Sequence, residues 1–191
     1  MKTSPNGRLN LIEPFEGTIL QSYDDYNDHI VDVGDTVHGT LTIGTGHTSA
    51  AGPPSVFLGM RITKEEADQI LGQDLGRVEQ EVNTLVKVPL NQNQFDALVS
   101  FQFNTGALGH SSALPLLNEG KYEEAANHLL LYDKAGGRTL AGLIRRRKAE
   151  EKLFLSRATT LPDTSIKPTS DAPTSFWGYL VSLLTTFMKG K

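Results

Sequence analysis

"FEGTILQSYDD" (Phe15–Asp25) sets a glutamate and an aspartate nine positions apart around an apolar stretch, and "TIGTGHT" begins seventeen residues later at Thr42. The fold turns on whether Glu16, Asp25 and Thr42 can meet. From His29 the pattern is that of strands, "HIVDV" and "TVHGTLTI" flanking Gly34 and Asp35, a Gly-first pair suited to a two-residue hairpin turn. That turn pairs Val33 with Thr36 and, counting outward, Asn27 with Thr42. Asp25 lies two residues beyond Asn27, so it shares the face of Thr42, diagonally across at about 7 to 8 Å between Cα atoms. A slip of one residue would send Asp25 to the opposite face.

Outward from the ribbon the chain reads as helical. Leu9, Leu11, Ile12 and Phe15 fit a short amphipathic helix, with Pro14 inside it removing the bond to the Asn10 carbonyl and Glu16 at its end. Thr63 and Glu66 form a capping box, after which Ala67, Ile70, Leu71, Leu75, Val78 and Val82 make the apolar stripe of a long helix. Further helices are predicted in "QFDALVSFQF" ending at "NTG", in "ALPLLNEG" ending at Gly120, in "YEEAANHLLLYDKAGG" ending at Gly136 and in "LAGLIRRRKAEEKLFL". Composition changes after about residue 157. Residues 158–175 are rich in Pro, Ser and Thr without periodicity, as in a linker, and 176–191 form an apolar terminal segment. This leaves residues 1–157 as one α+β domain.

With 191 residues, 38% hydrophobic and 21% charged, the composition is that of a soluble globular protein. No cysteine is present, which excludes disulfides, thiolate metal sites and a cysteine nucleophile. The net charge of -4 argues against nucleic acid as a partner. Residues 1–20 lack a continuous apolar core after their basic residues, so neither a signal peptide nor an N-terminal anchor is expected and synthesis is cytoplasmic.

Hydrolysing a glycosidic bond needs one protonated carboxyl group to donate to the leaving oxygen and a second, ionised one to act as base or nucleophile. Glu16 beside Phe15 suits the first role and Asp25 among polar neighbours the second, with Thr42 helping to hold a water. A Glu and an Asp at this spacing are more often ordinary surface carboxylates. The order of "FEG", "Y-D-D", "TIGTGHT", "ITKEEADQILGQDL", "NQFDALVSFQFNTG", "LNEGKYEEAANHLL" and "AGGRTLAGLIRRRKAEEKLF" is more specific. Over about residues 9–156 it resembles the phage-type lysozymes, the endolysins of glycoside hydrolase family 24.

The resemblance implies a lysozyme-like α+β fold, a small N-terminal β-hairpin lobe and a larger helical lobe with the active cleft between them. It also implies a muramidase that cleaves the β-1,4 bond between N-acetylmuramic acid and N-acetylglucosamine. The family's catalytic Glu, Asp and Thr fall on Glu16, Asp25 and Thr42, and the implied outcome is inversion, with carboxyls roughly 6.5 to 9.5 Å apart. Three departures stand out. Sixteen residues separate Asp25 from Thr42 where the family usually has five, which the hairpin accounts for as a lengthened ribbon and which leaves Asp24, Asp32 and Asp35 as alternative aspartates. Pro14 stands two before the glutamate, and Tyr132 stands where a Trp is common.

Phe101, Asn104 and Thr105 end a helix where the family lines its sugar cleft and are candidate substrate contacts, although Phe101 also reads as core. Asp74 falls in the apolar stripe and needs a partner, for which His47 is the choice. Arg147 sits between Leu143, Ile144 and Phe154, and Glu151 one turn on is its favoured partner over Glu16, while Arg145, Arg146 and Lys148 read as a solvated face. The aspartates of 24–35 do not make a calcium loop, since Ile30 stands where Gly is required, and His29 and His38 read as strand residues facing water. No metal and no cofactor are expected.

In 176–191 the apolar run from Phe176 to Met188 is too short for the roughly 20 residues that span a bilayer. A polar stripe of Gly178, Ser182, Thr185 and Lys189 suits a helix lying in a membrane interface, and docking back on the helical lobe is the alternative. The expected partners are peptidoglycan glycan strands and a membrane surface, the chain acting as a monomer. Its target being the cell wall, release through a holin-like pore or a secretion system is required. The rival readings are a lytic transglycosylase, which needs only the glutamate, and an inactive glycan-binding or membrane-perturbing protein acting through its C-terminal tail.

Overall fold

The segment that carries Glu16 is helical from Pro5 onward but changes pitch on the way. It runs through α1 (Pro5–Gly7), a π-helical stretch (Arg8–Ile12) and α2 (Glu13–Glu16). Pro14 has no N–H for the Asn10 carbonyl, and the widened turn before it, where Glu13 N–H reaches the Arg8 carbonyl, accommodates the missing bond. Leu11 and Ile12 are thereby buried in the core, and Gly17, at φ +68°, ends the helix at Glu16. The structure, a computed structural model, describes residues 1–156, so the linker 158–175 and the apolar segment 176–191 lie outside the described residues.

A four-stranded antiparallel sheet follows, in the order β2-β1-β3-β4, with β1 Ile19–Asp24, β2 His29–Ile30, β3 Leu41–Gly44 and β4 His47–Thr48. The ribbon expected to hinge on Gly34 and Asp35 does not form. The chain instead turns directly after β1, through residues 25–28 where Asp28 takes φ +56°, and pairs the short β2 with β1. Residues 31–40 then leave the sheet. Gly34 lies in a local turn closed by Asp35 N–H on the Asp32 carbonyl (3.1 Å) and by Asp32 N–H on the Asp35 carboxylate (2.7 Å). Aspartate side chains that satisfy nearby N–H groups compete with the ladder, and here they prevail over strand propensity.

Thr42 consequently faces Tyr23 rather than Asn27. The register differs from the expected one by four residues, an even number, so Asp25, two beyond Tyr23, still shares the face of Thr42.

The helical part is α3 (Lys64–Leu85), α4 (Gln92–Thr105), α5 (Ala113–Asn118), α6 (Tyr122–Leu129) and α7 (Ala141–Leu155). Capping boxes start α3 at Thr63 and α4 at Asn91, and Gly106 in the left-handed region closes α4. Phe95, Leu98 and Phe101 of α4 meet Leu71, Leu75 and Val82 of α3, Leu117 of α5, Leu129 of α6 and Phe154 of α7 in one core. The helix expected to run to Gly136 stops at Leu129. A hairpin of β5 (Lys134–Ala135) and β6 (Arg138–Thr139) takes its place, turning on Gly136 and Gly137 at φ +56° and +76°. Two adjacent glycines with positive φ are what a tight two-residue hairpin turn requires.

Candidate active site

Glu16, last residue of α2, stands where the sheet meets the helices, its side chain 18% exposed. A cavity of about 440 Å³ opens on one side of it, between Gly46, Ala50 and Ala51 of the sheet lobe and Asp74, Arg77 and Glu81 of α3. A second, of about 380 Å³, opens on the other, lined by Phe15, Leu140, Leu143 and Arg145. Asn104, at the end of α4, lies in the wall of both. The Glu16 Oε1 atom pairs with Arg146 of α7. Its Oε2 faces the β3–β4 turn, 3.9 Å from the position a Cβ would take on Gly46.

Arg146 is buried, contrary to the solvated face expected of it. Its Nε donates to Glu150 Oε1 (3.2 Å), its Nη2 donates to the Ser100 carbonyl (3.3 Å), and the guanidinium lies 5.6 Å from the Phe15 ring centroid. Arg147 is buried too, but its carboxylate is Glu150 rather than Glu151 or Glu16. Its Nη2 donates to Glu150 Oε1 and to Asn104 Oδ1, each at 2.9 Å. The physical reason is helical phase: Glu150 follows Arg147 by three and continues the inward stripe to Phe154, whereas Glu151 has turned away from it. Burial pushes the Glu150 carboxyl above its ordinary range, with Arg147 and Arg146 opposing, and pushes the Arg147 guanidinium below its own.

Asp25 is exposed just past the end of β1, with Oδ1 accepting Thr40 N–H at 2.5 Å and its own N–H donated to the Thr40 carbonyl at 3.2 Å. Thr42 is buried in β3, and its hydroxyl donates to the same Thr40 carbonyl at 2.9 Å. Neither residue lines the two cavities beside Glu16. Tyr23 stands opposite Thr42. Its hydroxyl is pushed up to about 12 by burial first, then by the negative charges of Asp28, Glu16 and Asp25. Of the alternative aspartates, Asp24 is buried under three backbone N–H groups, Asp35 closes its local turn, and Asp32 faces Arg61 at 3.8 Å on the surface.

Phe101 cannot touch a substrate. It is fully buried, edge-on to Tyr132 at 5.0 Å between ring centroids and 5.0 Å from the Arg147 guanidinium. Phe101 lies one turn deeper than Asn104, where α6 and α7 close over the helix, and Phe103 is the aromatic in the cavity wall. Thr105 is occupied with ending α4, its hydroxyl donating to the Phe101 carbonyl (2.8 Å) and accepting Ala107 N–H (3.1 Å). His47 lies buried against Asp74, Nδ1 to Oδ2 at 2.9 Å, and Asp74 also pairs with Arg77. His29 faces water in β2, while His38 lies in the loop rather than in a strand.

The family model described as Phage lysozyme matches residues 13–150. The chain belongs to the phage lysozyme family. Among curated phage lysozyme relatives, the endolysin of Salmonella phage P22 is 41% identical over 158 residues, 82% of this chain and 99% of that one. The endolysin of Bacillus phage B103 is 37% identical over 166 residues, 82% of this chain but 58% of the relative's length. Among solved structures, the muramidase domain of SpmX from Asticaccaulis excentricus is 40% identical with a TM-score of 0.67. A variant of P22 lysozyme is 40% identical with a TM-score of 0.65, and each structure is covered over 99% of its chain by 82% of this one. The lysozyme-like α+β fold expected from the sequence is therefore the fold observed.

Sequence reasoning missed Arg146, Glu150 and Phe103 in this phage lysozyme. The signal for Glu150 was present: Leu143, Arg147, Glu150 and Phe154 follow one another at spacings of four, three and four, a single helical stripe. Arg146 stands four before Glu150 and bonds to it, a local signal as well, whereas its other carboxylate, Glu16, lies 130 positions away and leaves none.

Proposed function

We propose that this chain is an endolysin that hydrolyses the β-1,4 bond between N-acetylmuramic acid and N-acetylglucosamine in peptidoglycan. The observation that carries the reading is Glu16 at the junction of two cavities, one oxygen fixed by Arg146 and the other turned toward the sheet lobe, in a chain of the phage lysozyme family. A glycan laid through both cavities presents its scissile oxygen to Oε2, which acts as the acid. Asp25, with Oδ1 occupied by Thr40 N–H, keeps Oδ2 for a water and acts as the base. The Thr42 hydroxyl already donates to the Thr40 carbonyl, so toward that water it serves as an acceptor. Such a water attacking opposite the leaving group gives inversion.

Glu16→Gln keeps the shape but removes the proton donor, and clearing of permeabilised Gram-negative cells should be lost while circular dichroism is unchanged. Full clearing by that variant would exclude Glu16 as the acid. Mass spectrometry of a digest of purified peptidoglycan should show reducing ends; anhydromuramic products would instead make the chain a lytic transglycosylase.

The wall is reached after release from the cytoplasm through a holin-like pore or a secretion system, and the enzyme works as a monomer. Among the described residues no helix is long and apolar enough to cross a membrane. Residues 176–191 are proposed to lie in a membrane interface. Their deletion should lower both liposome binding and lysis of intact cells, and unchanged values in both assays would dismiss that role.

A further inference from the structure

The sixteen residues between Asp25 and Thr42 turn back into the two-residue β2, leave the sheet over 31–40 and return at β3, and a long excursion of this kind fixes its ends poorly unless something ties them. Asp24 ties them. Its Oδ1 accepts Tyr26 N–H (3.0 Å) where the loop departs and Gly39 N–H (2.8 Å) where it returns, and its Oδ2 accepts His38 N–H at 2.6 Å. One buried carboxylate, 2% exposed, thus closes the neck of the loop. Immediately beyond the clasp, Thr40 delivers its N–H to Asp25 and its carbonyl to Thr42.

The return strand passes so close that only a glycine fits at position 39. A Cβ there would fall on the Asp25 carboxylate and lie 2.8 Å from Asp24 Oδ1 and 2.9 Å from Tyr26 N. Gly39 is not among the positive-φ glycines, so an alanine is free to take its backbone conformation and the obstacles are the two carboxylates and the Tyr26 backbone.

We propose that Asp24 and Gly39 are positioning residues for Asp25: they clamp the loop return so that Thr40 holds one Asp25 oxygen and leaves the other aimed at the attacking water. The inference rests on the reading of Asp25 as the base. It explains how an excursion of this length leaves Asp25 and Thr42 bound to one residue. The three N–H groups, that of His38 foremost, also hold the Asp24 carboxyl below its usual range against the opposing effect of burial, as a clasp that works ionised requires.

The test uses the full chain with solubilised peptidoglycan as substrate. Gly39→Ala should lower kcat by about 100-fold, the cost of roughly an ångström of misplacement, and Asp24→Asn by about tenfold, with KM within about twofold of wild type in both. Gly59→Ala is the control. It crowds Asp32 at 2.8 Å in the same lobe, at φ +75°, without touching Asp24 or Asp25, and it should lower the melting temperature while leaving kcat near wild type. If Gly59→Ala lowers kcat as much as Gly39→Ala, the effect is general damage to the loop and the proposal falls. If Asp25→Asn is inactive while Gly39→Ala and Asp24→Asn retain the wild-type kcat, the positioning role alone is refuted. If Asp25→Asn itself retains full activity, the reading of Asp25 as base fails, and positioning through it fails too.

Discussion

Phe101 and Phe103 stand two positions apart on α4 and face different surroundings. Phe101 is enclosed by Tyr132 and Arg147, and Phe103 borders the cavity beside Glu16. Truncating Phe101 to alanine should cost about 3 to 5 kcal/mol of stability in urea unfolding, because a closed core cannot refill the space. Phe103→Ala should cost much less and should instead raise KM for glycan fragments severalfold, as expected for a wall residue. Asp24 adds a pH dependence. Its carboxyl is held below the ordinary value, so the folded chain takes up that proton later than the unfolded one. The stabilisation is complete above the ordinary carboxyl value of about 3.9 and disappears as pH falls through the lower folded value. Thermal melts of wild type and Asp24→Asn should therefore differ fully at about pH 5 to 7 and converge as pH drops below about 3 to 4.

Among the described elements, α7 carries the densest buried charge. Arg146, Arg147 and Glu150 are all buried on it, and Glu150 is the carboxylate the two guanidiniums share. Glu150→Ala leaves two buried cations with one fewer counter-charge and should lower stability by about 3 to 5 kcal/mol, as measured by chemical unfolding. A replacement costing under about 1 kcal/mol would mean that water enters the gap. The helices were legible in advance because their information is local: capping residues at Thr63, a glycine after Thr105 and apolar side chains at helical spacing. The ribbon was not. Gly34–Asp35 and Gly136–Gly137 both look like hairpin turns, but only the second pair carries two positive φ angles between two-residue strands that find each other. At the first, Asp32 and Asp35 bond to each other's backbone, and Asp24 collects the loop, choices made by contacts that periodicity does not encode. Asp25 and Thr42 kept a common face only because the register error was even.

Seen as a whole, the described chain has polar ties between sheet and helix and between its entering and later helices. His47 of β4 meets Asp74 of α3, and Glu16 of the entering helix meets Arg146 of the last one. The Glu16 carboxylate is therefore coupled to the packing of α7 on α4, and activity and tertiary structure should be lost together on heating. Near-ultraviolet circular dichroism and clearing rate, measured on the same temperature ramp, should give superimposable midpoints; activity lost well before the dichroic signal would show that the sheet lobe melts by itself.

The partnership of Glu16 with Arg146 also sets an order of events during biosynthesis. A ribosome-bound chain that has made Glu16, Asp25 and even α6 still lacks the guanidinium that pairs with Glu16. The surroundings that the folded chain gives Glu16 are thus complete only once translation has passed α7.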